Sequence, residues 1–487
     1  MTPIAVAVLR TPSRPCRHSV HDSAIRRIPL GGRDPARRRH RWNRRTSVDR
    51  TPNRRRRSGL TVALLCFLTI VADGYDMVVY GAALPKILKE PDWHLSHSAA
   101  GLIGTWTLGG LMVGFLTAGP LADRIGRRRI MLVGVAWIAA GSLVSATALN
   151  VGMFGAARFL TGVGIGSIVP SAVALTLEYA PKHRQQLYNG AMLTGFSFGG
   201  ILASLAAIWL LPHYDWRILF GLGTVFLVLI PVMWFRLPES AGFLAMRGRE
   251  AEARELAEAF GLDYHALDTQ ADSPAEHGAG AAGIRRLLER PLLAPLVVFI
   301  MICVCVNVVV YGLNTWAPAL MREQGYALGS SLTFMLALQS GGVVGAVIGA
   351  YLADRVGCAR VVIVMFGVGA LSLLLLNNKM DTGWVLLATL GAGIGGTGTN
   401  SIIYGFVANY FPVENRGSAV GVVLGLGRIG AMAGPALAGW ILDAGLGAHW
   451  CFYAFAAPAV IGVALVALLP WLTTQRHITD GPAFATP

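Results

Sequence analysis

Four charged residues stand inside stretches that are otherwise apolar: Asp73, Asp76, Arg158 and Arg428. Taking an ionisable side chain into hydrocarbon is costly, so such residues mark a pathway for ions or polar solutes by default. Asp73 and Asp76 lie three apart, on adjacent positions of one helix face, about 20 Å into their run. Desolvation and mutual repulsion favour a proton on at least one of them, which suits a site that gains and loses a proton as access alternates. The other reading is a static ion pair with a lysine or arginine of the opposite half of the chain. Arginine keeps its charge when buried, and its planar fork grips a carboxylate through two parallel hydrogen bonds. Arg428, about 15 Å along its helix, is therefore the first candidate for a substrate carboxylate. Arg158 is the second counter-charge; the two roles can be exchanged, and a structural role for either stays open.

The elements that must hold these residues follow from composition. Of 487 residues 54% are hydrophobic and 14% charged, with a mean hydropathy of +0.55, a balance that makes the bilayer the natural solvent. A spanning helix needs roughly 20 mainly apolar residues. Such runs fall near 60–83, 100–121, 129–148, 151–175, 189–211 and 217–236, then near 292–317, 331–353, 361–377, 383–408, 417–442 and 449–471. The fold class is therefore an all-α membrane protein of twelve spans in two six-helix halves. The boundaries drawn are an N-terminal tail 1–58, a first half 59–236, a connector 237–290 holding a short amphipathic helix, a second half 291–472 and a C-terminal tail 473–487.

The net charge of +15 has the look of a nucleic-acid signature until it is located. Residues 1–58 hold 17 Arg against 3 Asp, so nearly all of it sits in a Pro-, Ser- and Arg-rich stretch without apolar period, which reads as disordered. That tail lacks the apolar segment of a secretory signal; contact with anionic lipid, a transit peptide or a dispensable extension are its readings, and no nucleic-acid partner is expected. The six cysteines are scattered and indicate neither a disulfide framework nor a metal site. With the N-terminus inside, the inner loops and C-terminal tail carry 17 Lys and Arg without counting residues 1–58, and the outer loops carry 5. Both termini are accordingly expected in the cytoplasm.

An internal repeat supports the two halves: Leu121-Ala-Asp123-Arg124-Ile-Gly126 follows the second run, and Leu352-Ala-Asp354-Arg355-Val-Gly357 follows the eighth. Proteins built this way place the substrate between the halves near the midplane. Gly110 and Gly114, Gly195 and Gly199, and Gly341, Gly345 and Gly349 are spaced four apart and read as helix contacts.

The run Gly119-Pro-Leu-Ala-Asp123-Arg124-Ile-Gly126-Arg127-Arg128-Arg129 resembles the loop signature of the major facilitator superfamily. Arg158-Phe-Leu-Thr-Gly162-Val-Gly-Ile-Gly166 resembles its fourth-helix RxxxGxxxG element. Further stretches are similar to the aromatic acid:proton symporter family. They are Asp73-Gly-Tyr-Asp76-Met-Val-Val-Tyr80-Gly81, Leu237-Pro-Glu-Ser240, Tyr311-Gly-Leu-Asn314-Thr-Trp316-Ala-Pro318, and Arg416-Gly-Ser-Ala-Val-Gly421 leading to Gly427-Arg428-Ile-Gly430. The Asp-Gly-Tyr-Asp form, with Tyr75 where hydroxybenzoate members often carry Phe, is closest to benzoate-type permeases.

That resemblance implies proton-coupled import of small aromatic carboxylates across a bacterial inner membrane by a protein acting as a monomer, without cofactor and without enzymatic activity. It assigns Asp123, Arg124 and Arg127, with Asp354 and Arg355 in the weaker second copy, to a latch, and Glu178 and Arg416 to the inner gate. Arg158 becomes a proton relay or a link to Asp73 and Asp76. Tyr80, Tyr311, Asn314 and Trp316 are candidates for the substrate's flat walls, since first and seventh helices line the cavity in this superfamily; interface anchoring is the alternative. A drug antiporter would carry a fifth-helix GxxxGPxxGG element, and Gly195-Phe-Ser-Phe-Gly199-Gly200 has no such proline. A membrane enzyme would need a clustered acid, base, nucleophile or metal set at one depth, and none is seen.

Overall fold

The computed structural model describes residues 59–181, 184–262, 287–412 and 415–473; the readings made for the two tails fall outside these residues, the C-terminal one from residue 474 on. The first half is Gly59–Ile87, His97–Ile125, Arg127–Ala146, Val151–Tyr179, then Gln185–Leu193 continued by Gly195–Leu210, then Arg217–Leu222, a 3-10 stretch Gly223–Val228 and Leu229–Arg236. The second half is Arg290–Glu323, Leu328–Val356, Cys358–Leu376, the tenth span, Arg416–Asp443 and Ala448–Thr473. Eleven of these helices are long and apolar enough to cross a bilayer. The tenth span makes twelve; it is Thr382–Gly393, a π turn Ile394–Gly398 and Thr399–Tyr410 in one continuous path. Between the halves lie Ala241–Met246 and the amphipathic Glu250–Phe260, which buries Ala253 and Ala257 and turns Arg249–Glu252 and Arg254–Glu250 pairs to solvent.

Most helices outrun the apolar stretches that announce them, because only part of each lies in hydrocarbon. The second starts at His97, where the Ser96 hydroxyl accepts from the Ala99 amide at 3.2 Å, and the fourth starts after Asn150, whose side chain caps the Met153 amide at 2.8 Å. Asp123 and Arg124 thus occupy the last helical turn, and the chain reverses at Gly126, with φ of 96°. Gly357 does the same with φ of 90° after the eighth span, so the sequence repeat is a repeat of backbone geometry that a side chain would strain.

Small residues decide which helices pair. A β-carbon at Gly110 would fall 2.0 Å from the Phe159 carbonyl oxygen, and one at Gly162 2.0 Å from that of Thr107, so the second and fourth spans meet backbone to backbone. Gly74 and Gly199 seat the first span on the fifth in the same way; in the second half Gly341 and Gly393 join the eighth to the tenth, and Gly430 and Gly434 the eleventh to the seventh. The halves are therefore built alike.

The halves touch each other on the side away from the termini. There Gly81 lies against the Asn314 carbonyl, Gly101 against that of Pro435, and Gly439 against that of His97. The Thr105 hydroxyl donates to the Met432 carbonyl at 2.8 Å across the same seam. On the termini side Leu187, Gly190, Gly405, Gly417 and Gly421 are exposed, so the halves are splayed there.

Candidate functional site

Tyr75 donates its hydroxyl to the Leu219 carbonyl at 2.7 Å, tying the first span to the sixth and setting the rotation of the helix that carries both aspartates. That rotation gives the two carboxylates different surroundings. Asp76 turns into the first half, where Arg158 Nη1 donates to Oδ1 and Oδ2 at 2.9 and 2.8 Å. Arg158 Nη2 donates to the Asp76 carbonyl at 3.0 Å and the Ser142 hydroxyl to Oδ1 at 3.1 Å, with the guanidinium over Phe220. Arg158 and Asp76 are 1% and 2% exposed, a desolvated pair whose charges are met inside one half. The basic partner lies in the same half, not the opposite one.

Asp73 turns the other way, into a chamber between the halves. It is buried, and its Oδ1 has no hydrogen-bonding partner among the described residues. The charges that act on it are Arg428 and Asp76. Arg428 enters the same chamber from the eleventh span and donates to the Tyr311 hydroxyl at 2.7 Å. Its helix is set by Gly427 and Gly430 against the seventh span and by Asn307, whose amide donates to the Gly427 carbonyl at 3.0 Å. From the first half Ile70, Val169, Leu193 and Phe196 supply an apolar wall; from the tenth span Thr397, Asn400, Ser401 and Tyr404 supply a polar one. An arginine fork, a buried carboxylate with one oxygen unpartnered among the described residues and a flat apolar wall are the elements needed to hold a small aromatic anion and a proton together.

The structure separates the residues expected around the substrate. Tyr311 lines the chamber; Tyr80, Asn314 and Trp316 do not. In this structure these three lie at the closed seam away from the termini, with Gly81 against the Asn314 carbonyl and Gly101 against that of Pro435. Tyr80 donates to the Ala100 carbonyl at 2.6 Å within the first half, and Trp316 donates to that of Pro435 at 2.9 Å within the second. Asn314 donates to the Val310 carbonyl at 2.8 Å and accepts from Gln339 at 2.6 Å. Their polar atoms are used by the protein, and depth along the span, which a list of spans does not convey, put them there. Conversely, the tenth-span face Thr397, Asn400, Ser401 and Tyr404 was missed. Its signal was available: polar residues at i, i+3, i+4 and i+7 within an apolar run.

On the termini side the charged motifs form a network that ties the first half to the start of the connector. Glu178 accepts from Arg127 at 3.3 Å, from the Ser240 hydroxyl at 2.7 Å and from the Gly242 amide at 3.1 Å. Glu239 accepts from the Arg128 and Ser240 amides, both at 3.0 Å, and Arg247 donates to the Arg124 carbonyl. Asp123, Asp354, Arg355 and Arg416 are exposed, with Arg355 over the ring of Tyr351. At the opposite end Asp443 closes the eleventh span onto the start of the second: it accepts from the His97 and Ser98 amides at 3.0 and 2.9 Å, with His97 Nδ1 at 3.2 Å. A carboxylate on a helix N-terminus meets both its free amides and its dipole.

Two packed halves with a charged chamber between them, closed on one side and splayed on the other, define a membrane transporter. The chain belongs to the Major Facilitator Superfamily, whose profile matches residues 66–376 and 331–486, and to its aromatic acid permease branch. A benzoate transport protein of Acinetobacter baylyi is 31% identical over 415 residues, 84% of this chain and 89% of that one. A gallate transporter of Pseudomonas putida is 33% identical over 406 residues, 82% and 89% of the two chains. In fold, the partially occluded inward open xylose transporter XylE from E. coli is similar with a TM-score of 0.68 at 16% identity, over 88% of this chain and 99% of that one.

Proposed function

We propose that the protein imports small aromatic carboxylates together with protons, by rocking its two halves about the central chamber. The observation that carries this reading is the meeting of Asp73, from the first half, and Arg428, from the second, in one chamber with an apolar wall. Arg428 and Tyr311 hold the substrate carboxylate, and Asp73 takes the proton. Asp76 and Arg158 form the fixed support that orients the first span, so the three residues singled out for proton coupling divide into one carrier and one buried brace. Names of relatives such as a benzoate and a gallate transporter support an aromatic acid as cargo.

The membrane is the bacterial cytoplasmic membrane, with both termini in the cytoplasm, a reading that the excess of Lys and Arg on that side supports. The splayed side is then the inner one. In this orientation residues 59–236 and 291–472 are the moving bodies, 237–290 the cytoplasmic connector, and one copy of the chain suffices. Glu178 and Arg127 stiffen the inner end of the first half. Asp123, Arg124, Asp354, Arg355 and Arg416, exposed here, engage when that side closes.

Import of an anion against an inside-negative potential costs about 2.3 kcal/mol per charge per 100 mV, and one proton cancels that charge. Uptake of labelled benzoate, 4-hydroxybenzoate and a non-aromatic acid, with and without a protonophore, tests the reading. Accumulation of the aromatic acids alone, abolished by the protonophore, is expected; equal uptake of the non-aromatic acid, or indifference to the protonophore, overturns it.

A further inference from the structure

The chamber has more hydrogen-bonding capacity than a carboxylate uses. Arg428 and Tyr311 account for the carboxylate end, and Tyr404 lies near enough to Arg428 to act on it electrostatically. One turn deeper on the tenth span stands Asn400, half-buried on the same helix face as Tyr404 and within hydrogen-bond reach of it. Two neighbouring hydroxyls have their protons engaged: Ser401 donates to the Thr397 carbonyl at 3.1 Å, and Thr194 to the Ala191 carbonyl at 2.7 Å. An asparagine amide offers two donors and two acceptor lone pairs, so a contact with Tyr404 leaves both kinds for a ligand.

We propose that Asn400, supported by Tyr404, reads a hydroxyl on the ring, so that the chamber favours hydroxylated aromatic acids over benzoate itself. A phenol both donates and accepts, and an amide matches both; an unsubstituted ring leaves the amide dry against a C–H edge. The Asp-Gly-Tyr-Asp motif does not speak against this. The Tyr75 hydroxyl is bonded to Leu219 in the sixth span, and Tyr75 does not line the chamber, so Tyr or Phe at that position does not report on the cargo.

The proposal rests on import of aromatic acids, and the test separates the two. Initial rates for labelled benzoate and 4-hydroxybenzoate are compared in cells expressing the full chain or Asn400→Leu, with the amount in the membrane quantified. The wild type is expected to favour 4-hydroxybenzoate in kcat/KM, and Asn400→Leu to lower that preference ratio roughly tenfold. If Asn400→Leu does not reach the membrane, Asn400→Ser replaces it, with a fall of the ratio in the same direction. A wild type without preference, or a variant in which both rates fall by the same factor, overturns the hydroxyl reader while import stands. A wild type that takes up neither acid sinks both.

Discussion

Asp73 and Asp76 lie three residues apart, yet their replacement by asparagine is expected to fail in opposite ways. Asp76→Asn leaves Arg158, 1% exposed, charged and without a counter-ion. Breaking a buried pair from one side costs about 3–5 kcal/mol. The asparagine oxygen still accepts from Arg158 and Ser142, which puts the loss at about 3 kcal/mol, a drop in Tm on the order of 3–5 °C. Asp73→Asn breaks no bond of the protein to that carboxylate's Oδ1 and should keep Tm within ~2 °C. It removes the group proposed to take the proton, so accumulation under a pH gradient should vanish while exchange of internal for external substrate continues. Thermal unfolding of the purified variants, with counterflow and active uptake side by side, makes the comparison. Active accumulation by Asp73→Asn, or a destabilisation equal to that of Asp76→Asn, refutes the division of labour.

Arg428→Lys keeps the charge but loses the fork, so KM for an aromatic carboxylate should rise about tenfold in uptake kinetics; an unchanged KM counts against Arg428 as the clamp. Asp443→Asn weakens the cap on the second span by about 1 kcal/mol, which should raise the far-side-open population roughly fivefold. Distances between spin labels on the second and eleventh spans report it, and an unshifted distribution speaks against the Asp443 cap as a closing contact. Gly81→Val puts a side chain where a β-carbon already falls 1.9 Å from the Asn314 carbonyl oxygen. The far side should then stay open to impermeant thiol reagents with transport lost; normal uptake would show the seam is not obligatory. Glu178→Gln gives up the Arg127 pair at 3.3 Å and should abolish transport while the protein still reaches the membrane, as blotting and uptake together would reveal.

The architecture was legible because it rests on properties that sequence carries locally. Apolar runs of spanning length, the Asp123 and Asp354 repeats and the glycine spacing specify helix number, symmetry and pairing without reference to anything distant. The charged residues were legible as a set for the same reason: each stands alone in hydrocarbon. Their partners were not. Three residues turn a helix by 300°, leaving Asp73 and Asp76 about 60° apart. Whether that difference puts one carboxylate on Arg158 and the other in the chamber depends on a rotation set by the Tyr75 bond to Leu219, 144 residues away. The chamber's polar wall carries no net charge and no repeat, so Asn400 and Tyr404 stand out only once the tenth span's facing is known. Trp316 and Tyr80 were placed by span rather than by height, and height decides whether a residue lines the cavity or the seam.

In the proposed mechanism, coupling follows from the charge enclosed when both sides of the chamber are shut. Empty, with Asp73 ionised against Arg428, the chamber holds one charge of each sign and is neutral. With substrate on Arg428 and Asp73 still ionised, it holds a net negative charge, whose occlusion costs several kcal/mol. A proton on Asp73 restores neutrality. The neutral states are thus the empty and the doubly loaded ones, and a penalty of about 3 kcal/mol suppresses the others roughly a hundredfold. Asp76 and Arg158 cancel within their own half and drop out of this balance in every state, which is why they can be a permanent brace. The same reasoning explains the expected behaviour of Asp73→Asn. Its loaded chamber is neutral and still crosses, sustaining exchange, whereas its empty chamber carries the bare Arg428 charge and returns slowly, so net uptake stops.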